Sequence, residues 1–324
     1  MRVHVQNPPD DPDFGVTEAQ WHEAAALAGE PSHAVSFAAT PDGYARARDE
    51  IELLIGSTPT LRRLPPLDAP RLRLVFVNAA GVDGLAPFDW LPPGVALLNN
   101  SGTHSPKAGE YIAMAALMLA ARMPALADAQ RSGRWTPLFS PTLAGRRVAI
   151  VGAGDLGAAG ARTLRRLGVH VTGVRTRAVP HPDFDAVAAV ADLDRVLAES
   201  DMVVLACPLT PATRLLLDRR RLALLPAGAG VVNIGRGRLL DQDALCDLLD
   251  DGHLGGAVLD VFDPEPLPES HRLWTTAKLI LTPHVSCDDP STYNVRSLAI
   301  LFGNLRAWRD DRPLPNRVDP SRGY

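Results

Sequence analysis

The residues best suited to chemistry begin in "RRVAIVGAGDLGAAGARTLRRLG", residues 146–168, where Gly152, Gly154 and Gly157 stand in a G-x-G-x-x-G pattern after an apolar strand-like run. The first glycine permits a tight turn, the second lets a pyrophosphate approach the backbone, and the third allows close helix–strand packing. The helix that follows turns its N-terminus toward the anion. Gly152, Gly154, Asp155, Leu156 and Gly157 are therefore the expected dinucleotide-binding turn. The next strand, in "VHVTGVRTRA" (169–178), ends in Arg175, Thr176 and Arg177. In such a unit this strand end faces the adenosine ribose, where Asp or Glu ordinarily accepts from the two hydroxyls of NAD. A carboxylate there repels a 2′-phosphate, whereas an arginine fork pairs with it. NADP(H) is the expected preference, with NAD(H) possible, and Arg175, Thr176 and Arg177 as the phosphate side. Solvated arginines, or arginines paired with Asp183 or Asp185, are the alternative.

The elements that must position these residues alternate. In residues 1 to about 100, "RVHVQ", "EIELLIGS", "RLRLVFVN" and "VALLNN" read as strands around helix-like "TEAQWHEAAALA". A buried helix is expected from Ser105-Pro106, a good cap and first-turn pair, through "KAGEYIAMAALMLAAR". A helix and a connecting arm follow in "RMPALADAQRSGRWTPLFSPTLAGR". Six strands then follow: "RRVAIVG", "VHVTGV", "DMVVLACP", "GVVNIG", "GAVLDVF" and "KLILTPH". After His284, "STYNVRSLAILFGNLRAWRDD" has helical spacing, and the Pro-rich tail has little regular structure.

A chain of 324 residues with 46% hydrophobic and 22% charged residues has the composition of a two-domain globular protein. Its net charge of −4, from 33 basic and 37 acidic residues, carries no basic footprint for nucleic acid. The longest apolar run, "YIAMAALMLAA", is too short to span a bilayer, and no secretory leader is evident, so a cytoplasmic, membrane-free protein is expected. The three cysteines, Cys207, Cys246 and Cys287, lie far apart and read as reduced structural thiols, and the nine histidines have no metal-ligand spacing.

Three further segments, "NIGRGRLLDQDAL", "GAVLDVFDPEPLP" and "LILTPHVS", stand in that order behind the glycine turn. With "VFVNAAGVDGL", "CPLTPATRLLL" and "RSGRWTP", they make the chain resemble the D-isomer-specific 2-hydroxyacid dehydrogenases. The resemblance implies an α/β fold of two doubly wound domains, with a Rossmann cofactor domain (102–287) inserted into a flavodoxin-like substrate domain (1–101 with 288–324) and the cleft between them. It implies a catalytic trio of Arg236, Glu265 and His284. Reduction of a 2-oxo acid by hydride leaves charge on the carbonyl oxygen, so His284 would donate the proton, Glu265 would favour the imidazolium, and Arg236 would orient the acid. The resemblance assigns the substrate carboxylate to Arg236 and to backbone N–H groups at Ala80, Gly81 and Val82. It assigns cofactor contacts to Cys207, Pro208, Thr213, Ile234 and Asp260, the last toward the nicotinamide carboxamide. A buried strand-end Asp with only structural bonds is the alternative for Asp260. Glu110 reads as structural, and the residues do not decide whether His104 faces the pocket.

Arg175 replaces the Asp common in the family and makes the chain resemble the NADPH-preferring glyoxylate and hydroxypyruvate reductases. The expected function is hydride transfer between NADP(H) and a small 2-oxo acid/D-2-hydroxy acid pair, in a homodimer built partly by the arm near Trp135. Two alternatives share the fold: a dinucleotide-sensing corepressor-like binding protein, and a dehydrogenase for a larger 2-oxo acid. Formate dehydrogenases resemble a pattern with Gln in place of Glu265, so the carboxylate argues against that chemistry.

Overall fold

The computed structural model describes residues 1–9, 15–31, 33–64 and 67–322. Its residues group into two compact units, Met1–His104 with Asp288–Tyr324, and Ser105–Cys287.

In the first unit the strands are β1 (Arg2–Gln6), β2 (Ala34–Ala38), β3 (Leu53–Gly56), β4 (Leu74–Val77) and β5 (Ala96–Leu98), with helices α1 (Glu18–Ala28), α2 (Pro41–Ala47) and α3 (Thr58–Arg63) between them. The start of α1 is set by a capping box, in which Thr17 accepts from the Gln20 N–H and the Gln20 side chain accepts from the Thr17 N–H. All pairings are parallel, in the order β2-β1-β3-β4-β5, the flavodoxin-like arrangement. Alternate strand residues feed two cores. Val3, Val5, Leu53, Ile55, Leu74 and Phe76 pack on one face, and Leu54, Val75, Val77 and Leu97 on the other.

The second unit opens with α4 (Ser105–Ala120) and α5 (Met123–Arg131), and the chain from Arg134 to Pro141 has no regular structure. Then come β6 (Arg147–Val151), α6 (Asp155–Arg166), β7 (His170–Arg175), β8 (Ala186–Ala189), α7 (Leu193–Ala198), β9 (Met202–Leu205), α8 (Arg219–Leu222), β10 (Gly230–Asn233), α9 (Gln242–Asp250), β11 (Gly256–Leu259) and β12 (Leu279–Leu281). The sheet is parallel and ordered β12-β11-β10-β9-β6-β7-β8, a Rossmann order with one strand added beyond β11. Four-residue apolar runs such as "MVVL" and "GAVL" are buried on both faces, as a parallel sheet covered by helices requires. The last helix, α10 (Tyr293–Arg309), returns to the first unit and packs on α1.

Two strands were not expected. Both β2 and β8 are edge strands, half exposed and alanine-rich, so neither carries the solid apolar run that marks the central strands. Among the described residues no single helix is long and apolar enough to cross a membrane.

Candidate active site

In each unit the expected site residues follow the carboxyl ends of parallel strands, where doubly wound sheets place their ligands. His284 comes three residues after β12, in "TPHVS". Its Nδ1 lies 2.8 Å from Glu265 Oε2, and Glu265 Oε1 accepts from the Phe262 N–H at 2.8 Å. A carboxylate only accepts, so the proton of this bond is on Nδ1 and Nε2 is the nitrogen left for exchange. The bond to Glu265 holds the His284 pKa above its ordinary 6.5, against burial and the Arg236 charge, which lower it. Burial raises the Glu265 carboxyl, yet the His284 and Phe262 hydrogen bonds, with the charges of His284 and Arg236, outweigh it and leave it below 4.5. The pair therefore favours imidazolium facing carboxylate.

His284 has a left-handed backbone, φ 54°. Such a conformation costs about 1–3 kcal/mol in a non-glycine residue and persists only where its surroundings determine it. Here the determinant is Asp260, fully buried. Its carbonyl accepts from the His284 N–H at 2.8 Å. One carboxylate oxygen accepts from Thr282 Oγ1 at 2.6 Å and the Val285 N–H at 2.9 Å, and the other from the Ser286 N–H at 3.0 Å. Because Thr282 donates to Asp260, its hydroxyl receives the Tyr111 hydroxyl proton, at 2.6 Å. Asp260 thus fastens the segment on both sides of His284, using three of a carboxylate's roughly four acceptor sites.

Arg236 sits in the turn after β10. Asn233, fully buried, straps that turn: its Oδ1 accepts from the Gly235 N–H and its Nδ2 donates to the Arg236 carbonyl, both at 3.0 Å. Gly237 then meets the Glu265 loop so closely that a Cβ would come within 2.0 Å of the Phe262 carbonyl carbon. Only glycine allows that approach. It brings the Arg236 turn against the residue whose N–H holds Glu265.

The glycine-rich turn fits a dinucleotide. Gly152 has φ 109°, and a Cβ on it would lie 2.6 Å from the Ala206 carbonyl group, across the gap between β6 and β9 where the strand order reverses. Gly154 caps α6 without a side-chain bond, and nothing lies within 4 Å of where its Cβ would be, which leaves room for a pyrophosphate. Asp155 is exposed, Leu156 half-buried and Gly157 buried against the Gly152 carbonyl. At the end of β7, Arg175, Thr176 and Arg177 are exposed. Asp183 and Asp185 are engaged elsewhere: Arg162 binds Asp183 at 2.6 Å and Arg165 binds Asp185 at 3.0 Å. Neither Arg175 nor Arg177 has an ion-pair partner among the described residues.

After β9 and β10 come the remaining cofactor-side residues. Cys207 and Ile234 are buried, and Pro208 is exposed. Burial pushes the Cys207 thiol up to about 12, so it packs rather than reacts. The Thr213 hydroxyl donates to the Pro208 carbonyl at 2.8 Å and accepts from the Thr210 N–H at 2.7 Å, which shapes the loop from within. In the first unit, Ala80 and Gly81 are half-buried and Val82 is buried in the loop after β4. The N–H groups of residues 79–82 make no hydrogen bond among the described residues.

A sequence model of the D-isomer specific 2-hydroxyacid dehydrogenase NAD binding domain matches residues 113–286, more than half of the chain. The chain belongs to that family. It is an oxidoreductase that acts on the CH–OH group of 2-hydroxy acids with a nicotinamide dinucleotide. A glyoxylate reductase of Korarchaeum cryptofilum (strain OPF8) is 32% identical over 260 residues, 78% of this chain and 77% of that protein. The glyoxylate reductase/hydroxypyruvate reductase of Homo sapiens is 29% identical over 265 residues, 79% of this chain and 80% of that protein. Among solved structures, a D-isomer specific 2-hydroxyacid dehydrogenase from Xanthobacter autotrophicus Py2, in complex with NADPH and MES, superposes with a TM-score of 0.84 at 32% identity, covering 100% of this chain and 99% of that one. An NADPH-dependent glyoxylate/hydroxypyruvate reductase from Sinorhizobium meliloti, in complex with NADP and sulfate, gives a TM-score of 0.80 at 27% identity, covering 100% and 99%.

In this dehydrogenase the supporting residues are the ones sequence reasoning missed. Asn233, Thr282 and Tyr111 carry no motif of their own, and Gln242 reaches across 21 residues to pair both backbone groups of Asp263, at 2.9 and 3.2 Å. The one available sign was Asn233 itself, a polar residue ending the apolar run "GVVN".

Proposed function

We propose that the protein is an NADPH-dependent reductase of small 2-oxo acids, of the glyoxylate or hydroxypyruvate kind, with Arg236, Glu265 and His284 as its catalytic residues. The hydrogen-bonded His284–Glu265 pair carries this reading, because it favours the protonated form of the proton donor and leaves one ring nitrogen to spare. NADPH, when bound, supplies the hydride to the carbonyl carbon. His284 Nε2 gives its proton to the carbonyl oxygen as the C=O bond becomes C–OH, and Glu265 keeps the Nδ1 proton in place. Arg236 neutralises the substrate carboxylate and the charge growing on the oxygen. The N–H groups of Ala80, Gly81 and Val82 receive that carboxylate. Gly152, Gly154, Asp155 and Leu156 would hold the pyrophosphate, with Gly157 packing the helix against its strand so that the turn can form, and Cys207, Pro208, Thr213 and Ile234 would flank the cofactor. Asp260 would accept from the nicotinamide carboxamide with its remaining acceptor site.

NADPH is chosen over NADH because Arg175 and Arg177 are exposed at the strand end and Asp183 and Asp185 already hold other arginines. The solved relatives bound to NADPH or NADP, and the relatives named for glyoxylate and hydroxypyruvate, agree with this choice. The protein acts as a homodimer in this reading. Trp135 is 98% and Phe139 89% exposed on the arm after α5, and Met114 and Leu117 on α4 and Met123 at the start of α5 are exposed as well; a second copy of the chain is the occupant that covers them.

The test is the initial rate of reduced-cofactor oxidation with glyoxylate, hydroxypyruvate, pyruvate and phenylpyruvate, each with NADPH and with NADH. Turnover of the small acids with NADPH is expected. Tight dinucleotide binding without turnover of any acid would replace the enzyme by a sensing protein of the same fold.

A further inference from the structure

The loop that follows β4 is fixed through its carbonyl oxygens. The Asn78 carbonyl accepts from the Tyr293 hydroxyl at 3.0 Å, the Ala79 carbonyl from the Asn100 N–H at 3.0 Å, and the Ala80 carbonyl from Asn99 Nδ2 at 3.0 Å. In a trans peptide the carbonyl of one residue and the N–H of the next lie in one plane and point in opposite directions. Fixing three successive carbonyls therefore aims the N–H groups of Ala79, Ala80 and Gly81 the other way, and those groups have no partner among the described residues. Three successive N–H groups without an internal partner are donors available to an anion.

The donors are themselves held. The Tyr293 ring packs against the His104 ring with centroids 5.3 Å apart, and His104 Nδ1 lies 3.4 Å from Asp288 Oδ1. Asn78 Oδ1 accepts from Ser297 Oγ at 2.5 Å and from Asn100 Nδ2 at 3.3 Å, while Thr103 Oγ1 donates to Asn100 Oδ1 at 2.6 Å. The Asn99 side chain is fixed from its other end by the Ser101 N–H, at 3.2 Å. Burial pushes the Tyr293 hydroxyl up to about 12, so it stays a donor throughout the working range.

We infer that Tyr293 and Asn99 are positioning residues for the substrate carboxylate, acting by fixing the peptide planes of the loop at Ala79–Gly81. This rests on the reading that the loop receives the carboxylate of a 2-oxo acid. It also gives α10 a role in the site, because the chain returns to the first unit after His284 and supplies, through Tyr293 and Ser297, the anchors of the loop's first residue.

The experiment is steady-state kinetics with NADPH and glyoxylate for the wild type, Tyr293→Phe and Asn99→Ala, with thermal midpoints measured in parallel. Loss of one hydrogen bond of ordinary strength should raise the KM for the acid about three- to tenfold, while the KM for NADPH stays within about twofold of the wild type. A purely structural role would lower the thermal midpoint and leave the two KM values moving together, or not at all. Tyr293→Phe keeps the ring and its packing, so it decides the matter if Asn99→Ala does not fold. Wild-type turnover with an unchanged acid KM in the folded variants overturns this inference alone. No turnover of any 2-oxo acid by the wild type overturns both it and the functional reading beneath it.

Discussion

Among single residues, function depends on which partner each charge already has. His284 has Glu265, whose hydrogen bond raises its pKa above 6.5 and so extends the protonated form to higher pH than a free imidazole. The reductive kcat/KM should be highest at low pH and fall as pH rises through the elevated His284 pKa. Glu265→Gln removes the first and largest cause of that elevation and leaves burial and Arg236, which act downward, against only the weaker upward pull of Asp260, so the fall should begin at lower pH. An unchanged profile would separate the ionisation from this pair. For stability, the contribution of the pair is complete between about 4.5 and 6.5: it is lost as pH rises through the raised His284 pKa of the folded state, and as pH falls through the lowered Glu265 pKa. Arg175 and Arg177 are the opposite case, cations without a partner among the described residues. Replacing both by Ala should cost at least about tenfold in kcat/KM for NADPH, since each charge-assisted bond contributes about 1.5–3 kcal/mol before solvent screening. The value for NADH should barely move, and equal losses on the two cofactors would remove the phosphate role.

Among the elements, the site depends on turns that follow strands. The glycine motif was legible in the sequence because its residues are contiguous, and the turn at Gly152 needs a positive φ that only glycine adopts easily. Gly152→Ala would place a Cβ 2.6 Å from the Ala206 carbonyl group. It should abolish dinucleotide binding in a titration of cofactor fluorescence, and retained affinity would show that the turn tolerates a shift. The supports of the trio were not legible. Asp260 and the 282–286 segment, Gln242 and Asp263, and Tyr111 and Thr282 are joined across 21 to 171 residues, and no local pattern encodes such a bond. Asp260 stood out as a polar residue ending a buried strand, but its part in fastening the left-handed turn at His284 emerges only from the bonds it accepts. The edge strands β2 and β8 escaped for another reason: half-exposed alanine-rich runs have too little apolar contrast to read as strands.

Across the whole molecule, the two doubly wound α/β domains followed from alternating apolar runs together with family likeness, while the burial of particular histidines did not. His4 and His33 are both held below 6.5, first by burial. For such groups the unfolded chain binds more protons, so stability is lost as pH falls below 6.5 toward the depressed pKa of the folded state. The thermal midpoint should drop over that interval, and His4→Gln should flatten the drop; the same slope in the variant would assign it elsewhere. The exposed arm adds a prediction about assembly. Trp135→Ser with Phe139→Ser should convert a dimer to a monomer in light scattering, and a dimer that survives both changes would place the interface on another face. Whether this fold carries out proton-coupled hydride transfer, and does not merely bind a dinucleotide, is decided at His284. The measurement is NADPH oxidation with glyoxylate by the wild type and His284→Gln, alongside NADPH binding to each. Turnover should fall about 10²- to 10⁴-fold in the variant with cofactor affinity nearly unchanged; turnover retained at the wild-type rate would remove His284 as the proton donor.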